Sequence, residues 1–444
     1  MISVLLFFLT YVSGFILAFR VFPIFAFVLY EAVYFFNPES RWWGKMVPDI
    51  SYSFFISITL ILFVFTNFEK IKANRIFAVP QFRWAFFILF LYCIAYTYAA
   101  IPVLHYNAMV NMIKLFIVIS IAYKLCDTDK KFDYVLWGYV LGAWYISFYA
   151  WQVGRNSGGR VEGIGTVDAP DANGLAAAIA PSIVLCLYYF WTSKNKYAKV
   201  AFAIAGIFIV NAIVLINSRG AFLGVAISIL IFMYYMYFSS FQRKFQKLSA
   251  VFITLAGISG GLYLADDAFI ERIYSISSET EVNEEQESGA TRMVFWAASV
   301  EMAKDYPFGK GFRGFNVYAH LYIPEGVNTG RKVNRTVHST WFEALSEIGY
   351  LGLFALIMML YYCAKTTQKC KSYLKKNNQV DQYFKIIAIQ ASLIAFMIAM
   401  TFMNRLRAEI LYWCVLYTAI AYNIYVLKRH TEDEPVVTKL GSVR

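Results

Sequence analysis

Charge is scarce in this chain. Of its 444 residues only 15% are Asp, Glu, Lys or Arg, where a soluble domain carries about a quarter. Acids are scarcer than bases, 28 against 40. The six cysteines (Cys93, Cys126, Cys186, Cys363, Cys370 and Cys414) lie in or beside apolar runs or in lysine-rich connections. Their spacing offers neither a disulfide framework nor a zinc site. There is no Walker loop, which excludes one common phosphate-binding arrangement. Long polar stretches are also missing, with one exception at residues 266–337. Met1 opens directly into an apolar run without a basic leader or clear cleavage site, so it reads as an uncleaved span and not a signal peptide.

What remains is apolar. Hydrophobic residues make up 59% of the chain and aromatic ones 19%, with a mean hydropathy of +0.53. After the first fifty residues, runs of about twenty recur near 50–67, 83–101, 106–123, 134–152, 173–191, 199–216, 221–238, 249–265, 340–363, 384–403 and 408–427. That is the length needed to cross a hydrocarbon core of about 30 Å. Strands of a membrane barrel would alternate polar and apolar residues; these runs are apolar all round. The expected fold is an all-α polytopic integral membrane protein.

The net charge of +12 follows from topology and not from nucleic-acid binding. Alternate connections carry the lysines: Lys70 and Lys72; Lys124, Lys130 and Lys131; Lys194, Lys196 and Lys199; Lys244 and Lys247; Lys365 to Lys376; and the tail from Lys428. Lysine-rich connections are cytoplasmic by the positive-inside rule, which puts 153–172, 217–220, 266–337 and 404–407 outside. Residues 1–49 are open to two readings. Two short spans broken at Arg20 and Pro23 give about thirteen crossings; one crossing plus a re-entrant piece gives about twelve. The expected division is an N-terminal bundle (1–265), a long periplasmic loop with short helices (266–337), C-terminal transmembrane helices (338–427) and a cytoplasmic tail (428–444).

The outer connections break the charge rule with arginine: Arg155, Arg160, Arg219, Arg292, Arg313, Arg331, Arg335, Arg405 and Arg407. A guanidinium grips phosphate oxygens through two parallel hydrogen bonds, which an ammonium cannot do. Arg219 stands between two apolar runs with almost no loop, where a charge usually marks a ligand path; snorkelling to headgroups is the plainer alternative. Asp171 or Asn173 is placed to cap the helix that follows. Residues 290–304 read as an amphipathic helix ending at Pro307, which could lie along the outer interface. Its Arg292 lies near the N-terminal end, with the acidic run Glu279–Glu287 as an ordinary partner.

Four histidines exist. His105 reads as part of a tight outer turn, His320 lies in the long loop and His430 in the tail. His338 closes the arginine-bearing loop at the mouth of a span and can take a proton from a hydroxyl. Glu343 and Glu347 share a helical face, placed to orient its surroundings or pair with arginines. Asp127-Thr128-Asp129 has the form of a metal–nucleotide motif, but in so short a connection it reads as a solvated turn.

Four pieces in order resemble the O-antigen ligase and polymerase superfamily, integral-membrane glycosyltransferases of the GT-C type. They are Asp171-Ala172-Asn173-Gly174-Leu175-Ala176, Asn217-Ser218-Arg219-Gly220-Ala221, Thr291-Arg292 with Pro307-Phe308-Gly309-Lys310-Gly311-Phe312, and His338-Ser339 through Glu347-Ile348-Gly349-Tyr350-Leu351-Gly352. The resemblance implies a bacterial inner-membrane enzyme that takes a glycan from undecaprenyl pyrophosphate at the periplasmic face. It further implies that Arg219 and Arg292 hold the pyrophosphate and that His338 is the catalytic base. Arg155, Arg160, Asn173, Arg405, Arg407 and Glu347 are expected in secondary contacts. No cofactor or metal is called for if arginines supply the counter-charge, and single displacement inverts the anomeric centre.

The acceptor stays open between lipid A–core, a second lipid-linked repeat and a protein side chain. A flippase for lipid-linked sugars would use similar arginines, but it usually shows internal repeats, and none is seen here. A third reading makes the long loop a docking domain in a glycan-assembly complex.

Overall fold

A computed structural model describes residues 2–156, 159–264, 270, 289–324 and 335–428. Arg331, the acidic run 279–287, His430 and the tail beyond Lys428 lie outside the described residues. Among those described the chain is helical and has no strands; the protein is an all-α polytopic membrane protein. Among the described residues eight helices are long and apolar enough to cross a membrane, and Phe25–Phe36, Tyr52–Thr66 and Pro80–Ala95 are shorter apolar helices.

In order the helices are α1 (Ile2–Arg20), α2 (Phe25–Phe36), α3 (Tyr52–Thr66), α4 (Phe68–Lys72), α5 (Pro80–Ala95), α6 (Pro102–Leu125), α7 (Asp129–Val153), α8 (Ala172–Ile179), α9 (Ser182–Thr192), α10 (Lys196–Ile216), α11 (Arg219–Phe238), α12 (Gln246–Leu264), α13 (Gly289–Asp305), α14 (Gly314–Tyr322), α15 (Thr340–Lys376), α16 (Val380–Met400) and α17 (Glu409–Tyr422). Residues 1–49 include two helices, α1 and α2, parted around Pro23; α1 is long enough to cross a membrane and α2 is a shorter apolar helix. The run at 173–191 is broken into α8 and α9. Pro181 has no N–H to continue the ladder, and its carbonyl accepts from the Ser392 hydroxyl at 2.7 Å. The run at 340–363 extends to Lys376. At 37 residues α15 is about 55 Å long, well beyond a bilayer core.

The C-terminal span forms the axis of the bundle. Of Glu409–Leu427, 94% is buried, against 11% of Ser3–Arg20. The first span therefore lies at the edge, with Leu5, Leu9, Ile16 and Phe19 turned outward.

The alternation of connections is reproduced in the contacts. At the lysine-rich end Asn74 bonds both the Lys124 carbonyl and Asn423, and Arg243 pairs with Asp381 at 3.6 Å. One expectation is corrected at this end. Asp129 is not a solvated turn residue: with Asp133 it holds the buried Lys385, both at 2.7 Å, and Tyr425 also bonds Asp129. A lysine buried in the bundle needs such partners, and the Asp127-Thr128-Asp129 stretch supplies one of them.

Candidate functional site

The arginine-rich end is organised by a break in a helix. Within α15, Ile348 (φ −129°, ψ 15°) and Gly349 (φ 72°, ψ −167°) leave helical geometry, which frees backbone groups that cannot stay unpaired inside a bundle. The segment Pro307–Gly311 takes them. Lys310 and Gly311 donate their N–H groups to the carbonyls of Ser346 and Glu347, both at 2.9 Å, and Tyr350 N–H donates back to the Pro307 carbonyl at 3.0 Å. The approach is close enough to require glycine. A Cβ on Gly349 would stand 2.0 Å from the Pro307 oxygen, and one on Gly309 would stand 2.4 Å from the Glu347 carbonyl carbon.

His105 fastens the same segment from the other side. It is fully buried in the first turn of α6 and not in an open turn. Its Nδ1 accepts from Phe312 N–H at 2.8 Å, and its Nε2 lies 2.8 Å from the Tyr92 carbonyl. With Nδ1 accepting, Nε2 must carry the proton, so the ring is neutral and fully used.

Arg407 ties this plug to α15. Its Nη2 pairs with Glu343 at 2.7 Å and its Nη1 with Glu347. Nη1 also donates to the Tyr92 hydroxyl at 2.9 Å, and the guanidinium lies 4.1 Å from the centre of the Phe312 ring. Burial opposes its charge, but Glu347, Tyr92 and Glu343 outweigh it and hold its pKa above the ordinary arginine value. Glu347 in turn accepts from Arg313 N–H at 3.0 Å, and Glu343 from Leu406 N–H at 2.9 Å.

Arg405 makes a second tie. It donates to the Asp168 carbonyl and pairs with Asp171, both at 2.7 Å. Asp171 also caps α8 by accepting from Gly174 N–H at 2.9 Å, as expected for that position. Asp168 receives the Tyr34 hydroxyl and the Glu409 N–H. Arg160 donates to Asn173 at 3.0 Å, and Arg155 to the Val214 carbonyl at 3.0 Å. Arg155, Arg160, Asn173, Arg405, Arg407 and Glu347 thus all make contacts within the protein.

The three principal candidates sit on segments that meet at two aromatic rings. Asn217, left-handed at φ 58°, ends α10 and lets Arg219 open α11. Next to it, a Cβ on Gly220 would be 3.1 Å from the Phe402 ring. Phe402 stands 6.5 Å, centre to centre, from Trp296, which lies one turn beyond Arg292 on α13 and so on the same face. Trp296 stacks on Phe342 at 5.3 Å and donates its indole N–H to the Val337 carbonyl at 3.0 Å. His338 follows.

His338 is held in an uncommon backbone state, φ 49°, which costs a side-chain-bearing residue about 1–3 kcal/mol. Its neighbours hold it there: Ser339 N–H donates to Asn404 at 3.1 Å, and the Thr340 hydroxyl bonds the Met403 carbonyl and Arg405 N–H. Its own Nε2 lies 2.6 Å from the Thr336 hydroxyl. Arg219, Arg292 and His338 are all partly exposed.

Residues 204–357 match a family model described as O-antigen ligase. That stretch is similar to the O-antigen ligase family. The matched stretch takes in Arg219, Arg292, His338, the plug at 307–311 and the helix break at 348–349. Arg155, Arg160, Asn173, Arg405 and Arg407 lie outside it. Members of the family are glycosyltransferase-like ligases and polymerases that act on lipid-linked glycans and acceptors. No curated protein matches the chain.

Sequence reasoning missed several residues of the candidate site and its surroundings. Phe402 and Tyr92 gave no signal among 41 phenylalanines and 33 tyrosines. Trp296 was visible on the face of the 290–304 helix, but its bond to Val337 was not. That helix also buries Phe295, Ala298 and Met302 against Phe315 and Val337, so its apolar face is covered by protein.

Proposed function

We propose that the protein is an inverting, metal-independent glycosyltransferase that moves a glycan from undecaprenyl pyrophosphate to an acceptor hydroxyl. The reaction takes place at the periplasmic face of a bacterial inner membrane. Arg219 and Arg292 bind the pyrophosphate and His338 is the general base. The acceptor hydroxyl gives its proton to His338 as its oxygen bonds the anomeric carbon. The bond from that carbon to the pyrophosphate oxygen breaks, and undecaprenyl pyrophosphate leaves as an anion. Charge grows on the leaving group, where guanidinium forks stabilise it most.

The observation that carries this reading is the meeting of three separate segments at Phe402 and Trp296. It puts two arginines and one histidine within a turn or two residues of the same aromatic pair. The stretches 1–265 and 338–427 then form the membrane body, 266–337 the outer loop and 428–444 the cytoplasmic tail. Ligation is favoured over polymerisation.

The test uses purified protein in nanodiscs with an undecaprenyl-pyrophosphate-linked glycan. Acceptors are lipid A–core, a second lipid-linked repeat and a peptide, offered separately. Wild type is expected to give product with an inverted anomeric centre and with excess chelator present. A general base is worth roughly 10²–10⁴-fold, so His338→Gln should lose that much in rate while still binding donor. A His338→Gln rate near wild type would remove the base assignment, and activity lost to chelator but restored by a divalent ion would remove metal independence.

A further inference from the structure

At the lysine-rich end four cations meet carboxylates: Lys131 with Asp127, Lys385 with Asp129 and Asp133, Arg243 with Asp381, and Lys428 with Asp127. Three others, Arg75, Arg83 and Lys124, pair with no carboxylate among the described residues. They gather where the connection between α4 and α5 crosses the end of α6. Arg75 and Lys124 line a cavity of about 520 Å³ together with Ile76, Phe77 and Ala78. Arg83, in the first turn of α5, donates its Nε–H to the Phe77 carbonyl at 2.6 Å. That bond leaves its two terminal NH₂ groups without a partner among the described residues.

We infer that this cavity binds the phosphate headgroup of an anionic phospholipid from the leaflet at the lysine-rich end. Phosphate suits the charge. Arginine forks give paired hydrogen bonds to its oxygens, and the lysine adds a point charge. A lipid suits the rest of the wall. Ile76, Phe77 and Ala78 make one side apolar, and the Phe77 ring is 59% exposed, placed to lie along an acyl chain. The cavity stands at the end of the α6 span, which is headgroup depth, where basic pockets between helices take anionic lipids. A free anion would gain nothing from the apolar side. Lysines that only set topology would need neither a cavity nor arginines.

The frame of the cavity is built in advance. Lys124 Nζ donates to the Ile71 and Asn74 carbonyls at 3.3 and 3.1 Å, which leaves one of its three hydrogens for a ligand. Asn74 returns the contact. Its Nδ2 donates to the Lys124 carbonyl at 2.8 Å, and its Oδ1 accepts from Asn423 at 3.1 Å. The Tyr123 hydroxyl bonds the Arg75 carbonyl at 3.4 Å. The connection is thereby fastened both to α6 and to the span at the axis of the bundle, so a ligand has little backbone left to order. Lys124 is the fixed member of the site, and the two arginine side chains are the adjustable ones.

The test needs no glycan and stands apart from the transferase reading. Full-length protein in detergent micelles is titrated with phosphatidylglycerol labelled on an acyl chain, and binding is read by fluorescence anisotropy. Unlabelled phosphatidylglycerol should compete at least about tenfold better than phosphatidylcholine, and inorganic phosphate at equal concentration should not compete. Arg75→Gln/Arg83→Gln should weaken binding about twenty-fivefold, roughly fivefold for each cation removed. Lys194→Gln/Lys196→Gln removes the same charge from two exposed lysines of the same end and should leave the affinity unchanged.

Unchanged affinity in Arg75→Gln/Arg83→Gln overturns the inference. So does an equal loss in Lys194→Gln/Lys196→Gln, which would mean that net charge draws the lipid without a site. Displacement by inorganic phosphate as effective as that by phosphatidylglycerol would make this a free-anion site and strike the lipid. If the arginine pair does not fold, Arg75→Gln alone decides, since that side chain makes no bond among the described residues: a loss of about fivefold supports the site, and no loss refutes it.

Discussion

Arg407→Met removes one guanidinium and strands two carboxylates. The Glu343 and Glu347 side chains are 1% and 4% exposed, and they stand one helical turn apart. Removing one partner from a buried ion pair costs about 3–5 kcal/mol, because the charge left behind is neither solvated nor compensated. The two acids also repel each other. At about 6 Å and an effective dielectric of about 20, that repulsion is roughly 3 kcal/mol. Two features reduce the total. Glu347 keeps Tyr92 and Arg313 N–H, and Glu343 keeps Leu406 N–H. Arg407 is itself 22% exposed, so water already screens part of the pairing. The expected loss is about 4 kcal/mol, read as a shift of the unfolding transition in mixed dodecyl sulfate micelles by tryptophan fluorescence.

A second substitution sets the sign of the effect. In the Arg407→Met background, Glu343→Gln should recover at least half of the loss, although alone it destabilises. A single mutant within 1 kcal/mol of wild type, or a double mutant worse than Arg407→Met, would refute the argument.

Further outcomes follow from the same geometry. Arg219→Lys keeps the charge but loses the fork, so donor KM should rise about tenfold with the fold intact; an unchanged donor KM would count against a phosphate role. Gly349→Ala must place a Cβ 2.0 Å from the Pro307 oxygen at φ 72° and should cost at least about 2 kcal/mol. Gly257→Ala in α12, with no atom near, should be neutral or stabilising by up to about 1 kcal/mol; the same denaturation assay compares them. Lys385→Met strands Asp129 and Asp133 and should lower stability by about 3 kcal/mol, yet transfer per folded molecule should not change, since it lies at the opposite end.

Much of the architecture was legible because hydropathy and lysine placement act at the length of a whole span. The segregation of connections to two ends and the cap at Asp171 were readable in this way. The partners of the arginines were not. Arg405 finds Asp168 and Asp171, and Arg407 finds Glu343 and Glu347, across sixty or more residues of chain. Nothing local in the sequence names the acids that these two arginines meet. The break at Ile348–Gly349 was hidden for a similar reason: Gly349 is one residue in an apolar run, and only the arrival of Pro307–Gly311 makes its backbone state necessary. His105 was misread as part of a turn because its two bonds go to Tyr92 and Phe312, the second 207 residues away.

The pairing of 307–311 with 346–350 also bears on synthesis. The ribosome makes the plug before the helix it completes, so the backbone partners of Ser346, Glu347 and Tyr350 already exist when that helix enters the bilayer. A chain with 307–311 deleted would have to insert three orphaned peptide groups into lipid or straighten the helix and shift every residue above it, His338 included. The loop is therefore a template for its own anchor, and swapping it between related chains should work only when the helix break travels with it.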